Sequence, residues 1–254
     1  MKFPFLVLAI AFFMSGCGSS EKDEKALPDQ KPIHSILFID KTESVSVSNP
    51  FILNKYKNII QSLVDLNINK AGDQLEIYYI HENTSKARCL NLVARTTKDS
   101  EEGMNATDIE ANKNNYELSI AKERKLIFNM AMEKLMAENT GASNRETNIS
   151  VSVPLVSDAL KGNEDVRVYY FSDMIESVKA GRDFHIAPPS STEVAQEWAK
   201  TDAAKYKDLN LSSAVITVIL PFEATSSSKE NNPHVTDYWK AYFGELGVNQ
   251  ISEL

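Results

Sequence analysis

The spacing of apolar positions changes several times along the chain. Ile36-Leu37-Phe38-Ile39 is an unbroken apolar run that ends on Asp40. A second strand-like run, Val166-Arg167-Val168-Tyr169-Tyr170-Phe171, ends on Ser172-Asp173. Short apolar runs bounded by polar sequence predict parallel strands buried on both faces. Leu75–Ile80 and Ala214–Leu220 read as further strands. Cys89–Ala94 follows Leu75–Ile80 after a short polar stretch, which predicts a hairpin and hence one antiparallel strand. Between the strands the period lengthens. Tyr56, Ile59, Ile60 and Leu63 repeat at i, i+3, i+4, i+7 behind Ser48-Asn49-Pro50, a cap followed by proline at the first helical position. Phe128, Ala131, Met132 and Leu135 mark a helix over about 116–138, with Gly141 as its stop signal. Ser190 and Glu193 suggest a capping box for a helix through Tyr206, with Val194 and Trp198 facing inward. Val235, Tyr238, Trp239 and Tyr242 mark a closing helix whose aromatics read as core.

This alternation predicts an α/β fold: a doubly wound, mostly parallel sheet with helices on both faces and one antiparallel edge strand. Residues 95–115 carry few apolar positions and read as an insert at the edge of the sheet. In open α/β sheets ligands bind beyond the carboxyl ends of the strands, so Asp40 and Asp173 both fall at the functional edge. Asp40, Thr42 and Ser44 alternate along one short loop, and all three offer oxygen, the donor that hard cations such as Mg2+ prefer.

Asp40-Lys41-Thr42-Glu43-Ser44 resembles the Asp-x-Ser-x-Ser loop of von Willebrand factor A domains, with Thr in place of the first Ser. The resemblance runs from about Ile33 to Val248 and implies a Rossmann-like sheet with a metal-ion-dependent adhesion site built from three loops. Thr147, ahead of the segment ending Asp158-Ala159-Leu160, matches the second loop in chain order, with Ser150 and Ser152 as alternatives. Ser172-Asp173 matches the third loop, where Met174 replaces the family's Gly. The implied metal ligands are Asp40, Thr42, Ser44, Thr147 and Asp173, the ion Mg2+ or Mn2+, and the partner a protein that completes the coordination with a carboxylate. The implied role is binding, not catalysis. Asp40-Lys41-Thr42 also resembles the nucleophile loop of haloacid dehalogenase-like phosphotransferases, in which Asp40 would be phosphorylated, although Thr42 stands where those enzymes place a second Asp. A third reading is an α/β scaffold without a metal.

The chain opens with Lys2, an apolar block from Phe3 to Met14 and then Met14-Ser15-Gly16-Cys17. That block is too short to span a bilayer and reads as a signal peptide over 1–16. Small residues running directly into Cys17 resemble a bacterial lipobox, which implies acylation of Cys17 and an outer-membrane lipoprotein of the cell envelope. Residues 17–32 are polar and form a tether, and the run Ser19-Ser20-Glu21-Lys22-Asp23-Glu24 resembles the acidic tethers of surface lipoproteins in Bacteroidota. The domain is then 33–254. Loss of the leader takes Lys2 from the 27 bases and nothing from the 35 acids, so the net charge drops one unit below −8. Such a balance argues against nucleic acid as a partner. Cys89 is the only other cysteine, so an acylated Cys17 leaves no disulfide to stabilise the fold.

Overall fold

The computed structural model describes residues 30–42, 45–138, 146–179, 181–222 and 232–254. The leader at 1–16, Cys17, most of the tether, Ser44, Gly141 and most of the polar link over 223–233 lie outside them. Residues from Lys31 to the C-terminus form one compact unit.

Six strands make a single sheet: β1 (Ile33–Asp40), β2 (Gln74–Ile80), β3 (Arg88–Val93), β4 (Asp165–Phe171), β5 (Val215–Ile219) and β6 (Gln250–Glu253), in the order β3-β2-β1-β4-β5-β6. All neighbours are parallel except β2 and β3, whose antiparallel hairpin places β3 at one edge. β6 was not legible as a strand. Of its four residues only Ile251 is apolar, and its pairing with β5 rather than its side chains defines it.

The strands alternate their side chains between two cores. Leu37, Ile39, Leu75, Ile77, Phe171 and Ile219 face α1 (Pro50–Asn67) and α2 (Ala106–Met136). Ile36, Phe38, Val168, Tyr170, Ile216 and Val218 face α3 (Val153–Ala159), α4 (Thr192–Ala203) and α5 (Pro233–Glu245). Phe38 stacks between Tyr78 and Tyr170, with ring centroids 5.5 and 5.0 Å away, and Tyr238, Trp239, Tyr242 and Phe243 of α5 pack as one aromatic group. Helices thus cover both faces of the sheet.

Helix starts follow local chemistry. Asn49 caps α1 by accepting from the Phe51 amide at 2.9 Å, with Pro50 at the first position where its missing N–H costs nothing. α2 begins at Ala106, so the expected loop over 95–115 is a loop only as far as Asn105, whose side chain accepts from the Asp108 amide. The first turns of α2 carry no apolar stripe, which is why periodicity misses them. Good helix formers and the Asn105 cap start the helix, and Asn112 to the Asp99 carbonyl and Tyr116 to the Asn69 carbonyl tie it down. In α4 the cap is Ser191, which accepts from the Val194 amide, not Ser190. The buried stripe is Ala195, Ala199 and Ala203, and Val194 and Trp198 lie half-buried beside it.

Candidate functional site

The strand order reverses direction at β1: β2 lies on one side of it and β4 on the other. Ile39 pairs with Phe171, so the two strands end level and release Asp40 and Ser172-Asp173 side by side into the crevice that such a switch point opens. Asp40 is 1% exposed and Asp173 4%. Burial of both carboxylates at a loop edge is the unusual feature, because ionised groups are seldom taken out of water without a partner.

Hydrogen bonds fix the group. Asp40 Oδ1 accepts from the Thr42 amide at 2.9 Å and from Thr42 Oγ1 at 2.6 Å, and its Oδ2 accepts from Ser172 Oγ at 2.6 Å. Ser172 Oγ accepts in turn from the Met174 amide at 2.9 Å, and Asp173 Oδ1 from the Ile175 amide at 3.1 Å. Burial first, then the nearby charge of Asp173, pushes the Asp40 carboxyl up to about 6, against the pull of its three hydrogen bonds. Burial first, and then the same two acids, raise the pKa of the Tyr56 hydroxyl, which donates to the Ile219 carbonyl.

Lys41 does not neutralise these acids. Its ammonium turns to the end of α2, donating to the carbonyls of Leu135 at 2.5 Å and Ala137 at 2.8 Å and lying 5.1 Å from the centre of the Tyr79 ring. There it satisfies carbonyls that a helix C-terminus leaves open. Burial pushes its pKa down to about 8.

The residue in place of the family's Gly adopts a glycine's backbone. Met174 has φ 62°, the one positive φ outside glycine among the described residues. Its amide bond to Ser172 and the 2.7 Å bond from Trp239 Nε1 to its carbonyl hold it there, with the side chain buried in the core.

Thr147 pairs with Ser177 in a short antiparallel bridge, with amide–carbonyl bonds of 3.0 and 2.9 Å in the two directions, four residues beyond Asp173. The second loop is therefore fastened to the third. Of the alternatives, Ser152 bonds the Tyr170 hydroxyl inside the core and Ser150 Oγ bonds Asn148. Glu176 is also buried. Its Oε2 accepts from the amides of Ile149 at 2.7 Å and Ser150 at 3.3 Å, capping the helical turn that leads into α3, and burial raises its carboxyl to about 7.

Ser172 is the site residue that sequence reasoning left out. The signal was a hydroxyl directly before the acid at a strand end. Among the described residues no group of three or more His, Cys, Asp or Glu side chains could hold a metal ion, so any cation here would rest on two carboxylates and hydroxyls. That donor set is chemically suited to a hard ion. Thr42 Oγ1 donates its proton to Asp40, and burial together with the neighbouring charge of Asp173 raises the Asp40 carboxyl.

No protein-family model and no curated protein matches this chain. Among solved structures it is similar to proximal thread matrix protein 1 from the mussel byssus: 12% identity, 89% of this chain, 44% of that one, TM-score 0.37. A second structure of that protein, described as having a zinc-occupied MIDAS motif, aligns at 12% identity over 84% of this chain and 48% of that one, TM-score 0.32. The chain spans less than half the length of these structures. The α/β architecture stands on the strand order and pairing described above, which are those of a mostly parallel sheet with one antiparallel edge.

Proposed function

We propose that the chain is a lipid-anchored, non-enzymatic binding domain of von Willebrand factor A type, which holds a Mg2+- or Mn2+-type ion at the carboxyl edge of its sheet and through it a carboxylate of a protein partner. The observation that carries this reading is the buried pair Asp40 and Asp173, released from adjacent parallel strands, with Asp40 held by the hydroxyls of Thr42 and Ser172. Thr42 and Ser44 would bind the ion through their hydroxyls, Asp40 and Asp173 would balance its charge through water, and Thr147 would complete the set from the loop fastened at Ser177. A hard cation would place positive charge beside two buried acids and leave an open position for an anionic group. Cys17 would tether the domain to the outer membrane of the cell envelope.

The phosphotransferase reading has less support. Both oxygens of Asp40 accept short bonds from protein donors, Thr42 sits where a second acid is needed, Lys41 faces α2, and Glu176 is occupied with the amides of Ile149 and Ser150.

Calorimetric titration with Mg2+ and Mn2+, alongside thermal unfolding, tests the proposal. Ion above its dissociation constant should raise the melting temperature of the wild type by mass action, and Asp40→Ala and Asp173→Ala should each abolish the rise while remaining folded. Absence of heat and of any shift for either ion, with and without added acetate as a carboxylate ligand, would remove the adhesion-site reading. Stabilisation by beryllium fluoride that depends on Asp40 would favour the phosphotransferase instead.

A further inference from the structure

A second polar depression lies apart from the two aspartates. A cleft of ≈ 580 Å³ opens between the turn around Asn148–Val151, the return loop at 176–182, the end of α4 and the inner face of α5. That volume is within the range of small-molecule sites.

Its charges cancel within the lining. Arg182 grips Asp202 with two bonds, Nε to Oδ2 at 2.7 Å and a terminal nitrogen to Oδ1 at 3.2 Å, while its guanidinium lies 4.3 Å from the centre of the Trp198 ring. Lys205 Nζ lies 5.1 Å from the centre of the Tyr206 ring, and Glu176 supplies the other acid. Arg182 and Asp202 neutralise each other as a pair, and Lys205 faces a Glu176 that burial leaves partly protonated near neutral pH, so the lining offers no strong charge of either sign to a ligand.

The hydrogen-bonding groups, in contrast, are not all used. Glu176 spends Oε2 on two backbone amides, and its Oε1 accepts no bond from the described residues. The Tyr242 hydroxyl is buried and also has no partner among them. It lies among Tyr206, Glu176 and Asp202, all of which line the cleft. A buried hydroxyl without a partner is costly to keep, and phenylalanine would fill the same space without that cost. Tyr238 shows the contrast on the same helix, since its hydroxyl donates to Asp202 at 3.0 Å. Tyr242 is therefore the group whose partner has to come from outside the fold.

From these observations we infer that this cleft binds a neutral, polyhydroxylated small molecule of monosaccharide to disaccharide type. Each ligand hydroxyl can both donate to Glu176 Oε1 and accept from Tyr242, which an apolar ligand cannot do. The C–H face of a sugar ring would rest on the Tyr206 ring and the side chains of Val151 and Val178, which supply the apolar part of the wall. This inference uses neither Asp40 nor Asp173 and stands or falls separately from the metal reading.

Saturation-transfer NMR on the purified full chain, with glucose, galactose, N-acetylglucosamine, maltose and cellobiose as probes and glycylglycine and ethanolamine as controls, provides the test. At least one saccharide should bind with a millimolar or lower Kd, and the controls should not. Tyr242→Phe should weaken that saccharide at least tenfold and raise the melting temperature, because it removes an unpaired hydroxyl. Glu176→Gln, which can still accept the two backbone amides, should also weaken it. No saccharide signal, binding of the controls alone, affinity unchanged in both variants, or a lower melting temperature for Tyr242→Phe would each overturn the inference.

Discussion

Replacing Asp40 with asparagine tests the central physical claim about the site, that its carboxylate is held at a cost. The folded-state pKa is raised from 3.8 to about 6 by burial and by Asp173. An acid raised in this way favours folding most when protonated in both states, below its unfolded pKa. That stability is lost as pH rises toward the folded pKa and stays lost above it. The shift of about two units corresponds to about 3 kcal/mol between pH 4 and pH 7. Asparagine does not titrate. It keeps an oxygen for the two donors of Thr42 but turns an N–H2 toward Ser172, which sacrifices one bond of about 1 kcal/mol. Near pH 4 the variant should therefore be less stable by about 1 kcal/mol, and at pH 7.5 more stable by about 2 kcal/mol, or roughly 4–8 °C in melting temperature for a domain of this size. Relief of Asp173 acts in the same direction. Urea unfolding of both proteins across this pH range, in chelator, gives the difference directly, and most other titrating groups cancel in it. A difference that stays flat between pH 4 and pH 7, or an asparagine variant less stable at pH 7.5, would refute the reasoning. Millimolar Mg2+ at pH 7.5 should close the gap by stabilising the wild type more.

Met174→Gly should relieve about 1 kcal/mol of left-handed strain but remove a buried side chain worth about 2–5 kcal/mol, a net loss of about 1–4 kcal/mol by urea unfolding. A glycine variant more stable than the wild type would show that strain outweighs packing there. Cys17→Ser should leave the chain unprocessed or free of the membrane fraction, and labelled palmitate still incorporated into that variant would exclude Cys17 as the anchor.

The parts of the molecule written in a repeating pattern could be read directly. The apolar runs before Asp40 and Asp173 are β1 and β4, and their parallel pairing brings the two acids together as the order of strands implies. The Asn49-Pro50 cap and the aromatic face of α5 follow the same logic. What escaped depends on partners distant in sequence. β6 exists because β5 offers it an edge, and the polar first turns of α2 rest on caps and side-chain ties instead of an apolar stripe. Ser172 acquires its role only when β4 lies beside β1, 132 residues from its acceptor. Glu176 carries no helical or strand pattern around it in the sequence, and only the fold shows that it closes the start of another helix. Ser44, the third oxygen of the first loop, lies outside the described residues.

The grip of Lys41 on the end of α2 divides the first loop mechanically. Residue 41 is pinned to the carbonyls of Leu135 and Ala137, one residue after the strand ends, while the chain beyond it carries the hydroxyl that holds Asp40. Any rearrangement of that loop must pivot on a fixed point next to the strand, so displacement is confined to the stretch from Thr42 onward and cannot be absorbed by β1. The same clamp joins the loop to the last turn of the longest helix, a lever of 31 residues that reaches back along one face of the sheet. The Lys134 carbonyl in the same turn accepts from the Tyr79 hydroxyl of β2, so a push on that helix would reach residue 41 and the end of β2 together.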